Sequence, residues 1–248
     1  MIDDLGYSFE PTRPVRRVVS LVPSLTEAVA PTGLLVGATD WCTHPTDLDV
    51  PRVRGTKNPD RAMIQALEPD LVIANKEENR ELDVRRLREA GVQVWVTQIE
   101  TVPEAITSMK RLFTSALDVA VPTWLEEAEA LWSGALPAPR ARVAIPIWRD
   151  PWMVVGSGTF TGDLVRRAGL VNAFCQEAER YPHVDIARID SSDLDVVLLP
   201  DEPYVFTAED GPEAFTKART ELVNGRLLTW YGPSLVQAHA YVSGLVSQ

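Results

Sequence analysis

The stretch "TDWCTHP" puts an indole, a thiol and an imidazole, Trp41, Cys42 and His44, within four residues. A Cys-x-His pair supplies two ligands where zinc sites want three or four, and no third ligand stands nearby in the sequence. Trp41 is left as either a core residue or a stacking surface. "IPIWRDPW" places Trp148, Arg149 and Trp152 within five residues. Two indoles flanking a guanidinium can stack on a flat ligand and pair with its carboxylate or phosphate. The competing reading is a hairpin whose tryptophans pack inward. "GTKNPD" and "ANKEENRE" add Thr56, Lys57, Lys76 and Glu77. Charged loop residues are commonly just solvated, but Lys76 and Glu77 follow closely on the apolar "DLVIA", so a strand aims them at its own carboxyl end. The three histidines are His44, His183 and His239, and there is no G-x-S-x-G, H-E-x-x-H or P-loop pattern.

These residues need a scaffold, and the hydrophobic pattern supplies one. "VVSLV" leads into "LTEAVAPTG" and "LLVGATD" follows; "RAMIQALEPDLVIAN" and "LDVRRLREAGVQVWVT" each carry a helix into a strand. Such alternation predicts βαβ units around a buried parallel sheet. Ser24 and Glu27 in "VPSLTEAV" have the spacing of a capping box at a helix start, and the exposed amides of that start favour an anionic group. From Val102 to Leu136 the pattern is helical, with Pro122 ending one helix and opening another of about 14 residues, on the order of 20 Å long. A second alternating block follows: "VAIPIW", "WMVVG", "GDLVRRAGLV", "DVVLLPD", "PEAFTKA", "RLLTW" and a last helix from Pro233. The expected organisation is an N-terminal α/β lobe (1–120), a connecting helix (121–138) and a C-terminal α/β lobe (139–248). The fold class is α/β with mostly parallel sheets and a cleft between the lobes, where ligands gather beyond the strands' carboxyl ends. Trp95, Trp124 and Trp132 fall inside strand or helix patterns and read as core.

Composition narrows the partners. Of 248 residues 45% are hydrophobic, enough for sizeable cores, and 24 Lys plus Arg against 35 Asp plus Glu leave a net charge of −11. A surface of that sign does not track phosphates, so nucleic acid is not expected as a partner. No run is apolar for long enough to span a bilayer, and insertion is not expected. The start, "MIDDLGYSFEPTRP", holds no secretion-signal core. Taken as it stands the sequence reads as cytoplasmic, and as extracytoplasmic should an upstream signal have been removed. Cys42 and Cys175 form no metal-ligand spacing with each other and are expected as free thiols.

"RVVSLVPSLTEAV", "GATDWCTHP", "LEPDLVIAN", "LREAGVQVWV", "GTFTGDLVRRAGLVNAF" and "YPHVDI" resemble, in order and spacing, the class III substrate-binding proteins, the cobalamin, haem and ferric-siderophore receptors of ABC importers. The resemblance runs from about Arg17 to the C-terminus. It implies two α/β lobes on one rigid backbone helix, with the ligand held between them. An aromatic at the position of Trp41 stacks on the ligand in that family, and Phe160, Tyr181, Trp230 and Tyr231 fall where the second lobe lines the cleft. Family members also dock on their permease through an acidic residue on each lobe. Here the first counterpart is Asp60, and Ala187 stands where a glutamate is common, with Asp185 two residues before it.

The function implied is noncatalytic binding, with a corrinoid, haem or ferric siderophore as cargo and no intrinsic cofactor. An ABC permease is the expected macromolecular partner of an importer component, a monomer is expected, and a cytosolic carrier or sensor is the variant without an importer. The alternative is a metal-dependent or chelatase-like enzyme using the interlobe cleft, for which His44 and His183 on loops of the two lobes are the candidate residues.

Overall fold

The β-branched runs of the first half form parallel strands, each ending in the loops singled out above. In the computed structural model, which describes residues 1–8 and 13–246, the first half runs in order β1 (Val18–Ser20), α1 (Pro23–Val29), β2 (Leu35–Ala38), β3 (Arg54–Gly55), β4 (Asn58–Pro59), α2 (Arg61–Ala66), β5 (Leu71–Asn75), α3 (Glu81–Glu89), β6 (Val94–Thr97) and α4 (Val102–Arg111). The sheet order is β2-β1-β5-β6, all parallel, and β1 and β5 are buried along their whole length. Strands covered on both faces need an unbroken apolar run, which is what the sequence supplies. Leu21, Val72, Ile64, Leu87 and Val94 meet in one core.

The start of α1 corrects the capping-box expectation. Val22 is the N-cap, no side chain caps the helix, and Pro23 occupies the first turn. Proline's fixed φ and missing N–H suit that position, so it sets the helix start two residues earlier than a Ser24 cap requires. Ser24 is buried inside the helix. Helix α2 does carry a side-chain cap: Asp60 accepts from the Met63 N–H at 3.1 Å.

β6 is the outer strand of this sheet, and the first residues of the chain cover its free edge. Asp4 N–H donates to the Val96 carbonyl at 3.2 Å, and Val96 N–H donates to Asp3 Oδ2 at 3.2 Å. The buried Asp3 also pairs with Arg88 at 2.8 Å, and that guanidinium lies 3.6 Å above the Tyr7 ring. Asp4 accepts from Gln98 N–H at 3.1 Å and from the Ser108 hydroxyl, and pairs with Arg111 at 2.5 Å. None of this was visible in the sequence.

The helical stretch comprises α4, a π-helical turn over Leu112–Ala116, and α5 (Thr123–Trp132), which reopens one residue after Pro122. The second half continues with β7 (Ala141–Ala144), β8 (Pro146–Trp148), β9 (Met153–Val154), α6 (Phe160–Arg167), β10 (Leu170–Asn172), α7 (Ile186–Ile189), β11 (Val196–Pro200), β12 (Thr220–Val223), α8 (Gly225–Thr229) and α9 (Ser234–Gly244). Its parallel sheet has the order β10-β7-β11-β12, and β8 and β9 form an antiparallel hairpin. "RLLTW", expected to continue the strand pattern, is helix α8 instead, because Asn224 caps it by accepting from Leu227 N–H at 3.0 Å; the strand before it is "TELV". "PEAFTKA" yields only a 3-10 turn over Pro212–Ala214.

The described residues divide into two units: 1–8 and 13–99 with 104–127 and 231–233, and 100–103 with 128–230 and 234–246. Each holds one four-stranded sheet. In the second unit, buried Asp190 at the end of α7 accepts from Thr216 N–H and Oγ1 at 3.0 and 2.8 Å, and from Lys217 and Ala218 N–H at 2.8 and 2.9 Å. It thereby fixes the approach to β12. Burial alone would raise its pKa, but the four bonds dominate and hold the carboxyl well below the usual range. No helix among the described residues is long and apolar enough to cross a membrane.

Candidate functional site

In the first unit, four strand ends and the β3–β4 hairpin supply the loops. The β2 loop is anchored from inside. Cys42 is fully buried, with Thr26 Oγ1 donating to its sulfur at 3.0 Å and Thr39 Oγ1 3.1 Å away. Burial pushes the thiol up, so it stays neutral and acts as a packing post. The Arg52 guanidinium donates to the carbonyls of Thr39, Cys42 and Leu48 at 3.2, 3.0 and 3.1 Å. One residue before this anchor, Trp41 is 67% exposed. Its indole nitrogen would lie 3.3 Å from a Cβ at Gly55, so the ring rests over the β3–β4 hairpin. His44 is half-buried, with Nδ1 3.1 Å from Thr43 Oγ1.

Two buried asparagines join the neighbouring loops. Asn75, the last residue of β5, donates to Thr97 Oγ1 at 3.0 Å and accepts from Glu77 N–H at 2.8 Å. Asn79 accepts from Asn75 N–H at 2.9 Å and donates to the carbonyls of Leu21 and Thr56 at 3.2 and 2.9 Å. The ends of β1, β5 and β6 and the β3–β4 turn are thus held as one surface. Lys76 projects from it exposed, and the Lys57 ammonium donates to the Glu77 carbonyl. Thr56 is half-buried beside them. Sequence reasoning missed Asn75 and Asn79; the available signal was a polar amide ending an otherwise apolar strand.

In the second unit the hairpin tryptophans split. Trp148 is 45% exposed and meets Tyr204 edge to face, with centroids 5.5 Å apart. Trp152 is buried, stacked 5.9 Å from Phe206 and edge-on to Phe215. The surface expected from both indoles and a free guanidinium is therefore not what folds. Arg149 is engaged by Glu213 at 2.6 Å and by Asp210, and its guanidinium lies 5.3 Å from the Trp152 ring centroid. The Arg149 hydrogen bond in turn holds the Glu213 carboxyl below its ordinary range.

The segment after Arg180 pairs along β9, with Val154 N–H donating to Pro182 O at 3.2 Å and a bridge between Met153 and His183; this places Tyr181 half-buried and His183 exposed. Phe160, the first residue of α6, is 5% exposed. Trp230 in the second unit and Tyr231 in the first are also buried. Trp230 hydrogen-bonds Glu202 beside the Thr229 hydroxyl, 3.0 Å from the carboxylate, and burial pushes the Glu202 carboxyl up despite both bonds. Cys42 and Cys175 are free thiols, and among the described residues no three His, Cys, Asp or Glu side chains converge.

A cavity of about 330 Å³ lies in the second unit beside Trp132, His239 and Arg140, at the amino end of β7 and away from these loops. Its two guanidiniums are occupied. Arg140 donates to the carbonyls of Ala168, Val242 and Leu245, and Arg167 pairs with Asp163 at 2.7 Å.

No family model matches the chain. It is 25% identical over 185 residues to the vitamin B12-binding protein of Vibrio parahaemolyticus, a match spanning 71% of this chain and 67% of the relative. Its fold superposes on the crystal structure of the periplasmic vitamin B12 binding protein BtuF of Vibrio cholerae with a TM-score of 0.73 at 21% identity, covering 93% of this chain and 96% of that one. The chain has the fold of the class III substrate-binding proteins. The same fold appears in the periplasmic heme-binding protein RhuT from Roseiflexus sp. RS-1, with a TM-score of 0.75 at 19% identity over 92% and 98% of the two chains. All three are named as binding proteins and none as an enzyme. Asp60 caps α2 and lies 3.5 Å from Arg54, while Asp185 and Ala187 are exposed around the start of α7.

Proposed function

We propose that this chain is a noncatalytic binding protein for a bulky, partly planar metal complex, with a corrinoid first, then haem or a ferric siderophore. The observation that carries the reading is the likeness to vitamin B12-binding proteins across most of the chain. The strand-end loops support it chemically. Each unit sets one large indole, Trp41 or Trp148, in water on loops that are otherwise anchored. Indoles in that setting suit an apolar, flat ligand face. Lys76, Glu77, Thr56, Lys57 and His44 are the polar contacts offered by the first unit, and Tyr181 by the second. Phe160, Trp230 and Tyr231 are buried. The metal travels with the cargo, and the protein supplies no intrinsic cofactor.

The role proposed is that of an importer's binding component, a monomer working outside the cytoplasmic membrane and handing its cargo to an ABC permease, with Asp60 and Asp185 as the docking acids. Titration against cobalamin, haem and a ferric-siderophore panel, followed by tryptophan fluorescence, tests the cargo. Saturable quenching by cobalamin is expected, and no quenching by any member refutes the reading. Capture of the cognate permease by the loaded chain, lost on Asp60→Lys, separates an importer component from a carrier.

A further inference from the structure

Arg149 stands at the turn of the β8–β9 hairpin, and its partners Asp210 and Glu213 lie 61 and 64 residues further on, in the loop after β11. The side chain is only 18% exposed; its Nη1 is shared between these two carboxylates, and its Nε lies 3.5 Å from the exposed Asp150. Asp210 also accepts the Tyr204 hydroxyl at 2.6 Å, and Glu213 accepts Gly211 N–H at 2.5 Å. One cation thus fastens the loop to the hairpin at the two points nearest its aromatic residues. The outcome is a layered arrangement. Trp152 and Phe206 are buried beneath, Tyr204 lies 4.7 Å from Phe206, and Trp148 stands edge-on above Tyr204. Beside them Val205 is 63% exposed.

Resting on the binding role above, we propose that Arg149 is a positioning residue: it locks the loop after β11 against the hairpin so that Trp148, Tyr204 and Val205 form a preformed apolar platform for the flat face of the cargo. Its charge is consumed internally and does not pair with the ligand. Aromatic side chains held in place before binding avoid the ordering cost otherwise incurred at association. A lysine carries the charge as one compact ammonium, without the preorganised planar guanidinium whose Nη1 meets both carboxylates.

The experiment compares Arg149→Met, Arg149→Lys and the double variant Asp210→Asn/Glu213→Gln with the wild-type chain. Hydrogen exchange of residues 204–213 is read without ligand, and the cyanocobalamin Kd is read by equilibrium dialysis. In Arg149→Met the loop exchanges faster and Kd weakens by about 10-fold or more, the scale of two side chains ordered only on binding; Arg149→Lys falls between it and wild type. The double variant discriminates between roles, because it releases Arg149 Nη1 from the loop and leaves only the exposed Asp150 beside Nε. Positioning predicts weaker binding, whereas direct pairing with an anionic group of the ligand predicts tighter binding. Unchanged or tighter binding by the double variant overturns the proposal. Should Arg149→Met fail to fold, Glu213→Gln alone, which keeps the Asp210 pair, carries the same expected direction in both readouts. A wild-type chain that binds no panel member overturns the cargo reading before any variant is compared; one that binds while tolerating Arg149→Met overturns the positioning role alone.

Discussion

Replacing Trp41 with alanine tests the first unit's contribution to binding. An aromatic side chain covers ~150–250 Å² when buried, and Trp41 is 67% exposed, so about 160 Å² of it is open to water. A ligand that covers half of that face removes ~80 Å², which at ~25 cal/mol per Å² is worth about 2 kcal/mol. Kd for cyanocobalamin then weakens about 30-fold. Stability moves little, by less than about 0.5 kcal/mol, because so exposed a ring gives up little packing. Trp41→Phe keeps a stacking face and loses only a few-fold. Since the substitution removes a fluorophore, the assay is equilibrium dialysis read by corrin absorbance, beside urea unfolding of the same samples. A Kd within two-fold of wild type refutes the reasoning, as does a loss of affinity accompanied by an equal loss of stability.

The remaining predictions concern the scaffold. Asp190→Asn keeps one acceptor oxygen and turns an amide donor toward N–H groups, forfeiting about two of the four bonds; at ~1.5 kcal/mol each, the cost is about 3 kcal/mol at pH 7. Because the folded-state pKa of Asp190 lies below the unfolded value near 3.8, its contribution is full above that pH and lost as pH falls below it, so the wild-type and variant urea midpoints converge in acid. Glu202 has the opposite sign. Its raised pKa costs stability as pH climbs above the unfolded value near 4.5, so Glu202→Gln melts higher than wild type at pH 7 and no higher at pH 4. Gly156→Ala drives a Cβ to 2.3 Å from the Glu179 carbonyl and 2.8 Å from the Pro182 ring, which is expected to cost about 1–3 kcal/mol in a thermal melt and to displace Tyr181.

Elements whose signal is local were readable from the sequence alone. "VVSLV", "LVIAN" and "VQVWV" are apolar on both faces, which a buried parallel strand requires and little else produces. Trp95 and Trp132 read as core from their place in such runs, and both are buried. Local chemistry misled at Ser24, where the serine spacing suggested a cap but Pro23 and its fixed φ decided the helix start. The site depended more on distant contacts. Trp148 and Trp152 are equivalent in "IWRDPW", and only Phe206 and Phe215, more than fifty residues away, determine that Trp152 is the buried one. Arg149 likewise looked available to an anion because Asp210 and Glu213 carry no mark in the sequence as its partners. Pairings across long separations leave no periodicity, so neither the reach of Asn79 to Leu21 and Thr56 nor the Arg149 clamp could be inferred before the fold was known.

The strip of residues that covers the free edge of β6 bears on how the first unit assembles. Asp3 and Asp4 are synthesised about a hundred residues before their partners Val96, Gln98, Ser108 and Arg111. Contacts of such separation form late, since closing the long loop costs entropy before any bond compensates. Until then β6 offers an open row of backbone groups to any other extended chain, the situation in which strands pair with the wrong partner. A nascent first unit therefore stays vulnerable to self-association until Arg111 has emerged. Substitution at Asp3 or Asp4 would prolong that interval, so its effect would be seen in the yield of soluble protein before it is seen in the affinity for any ligand.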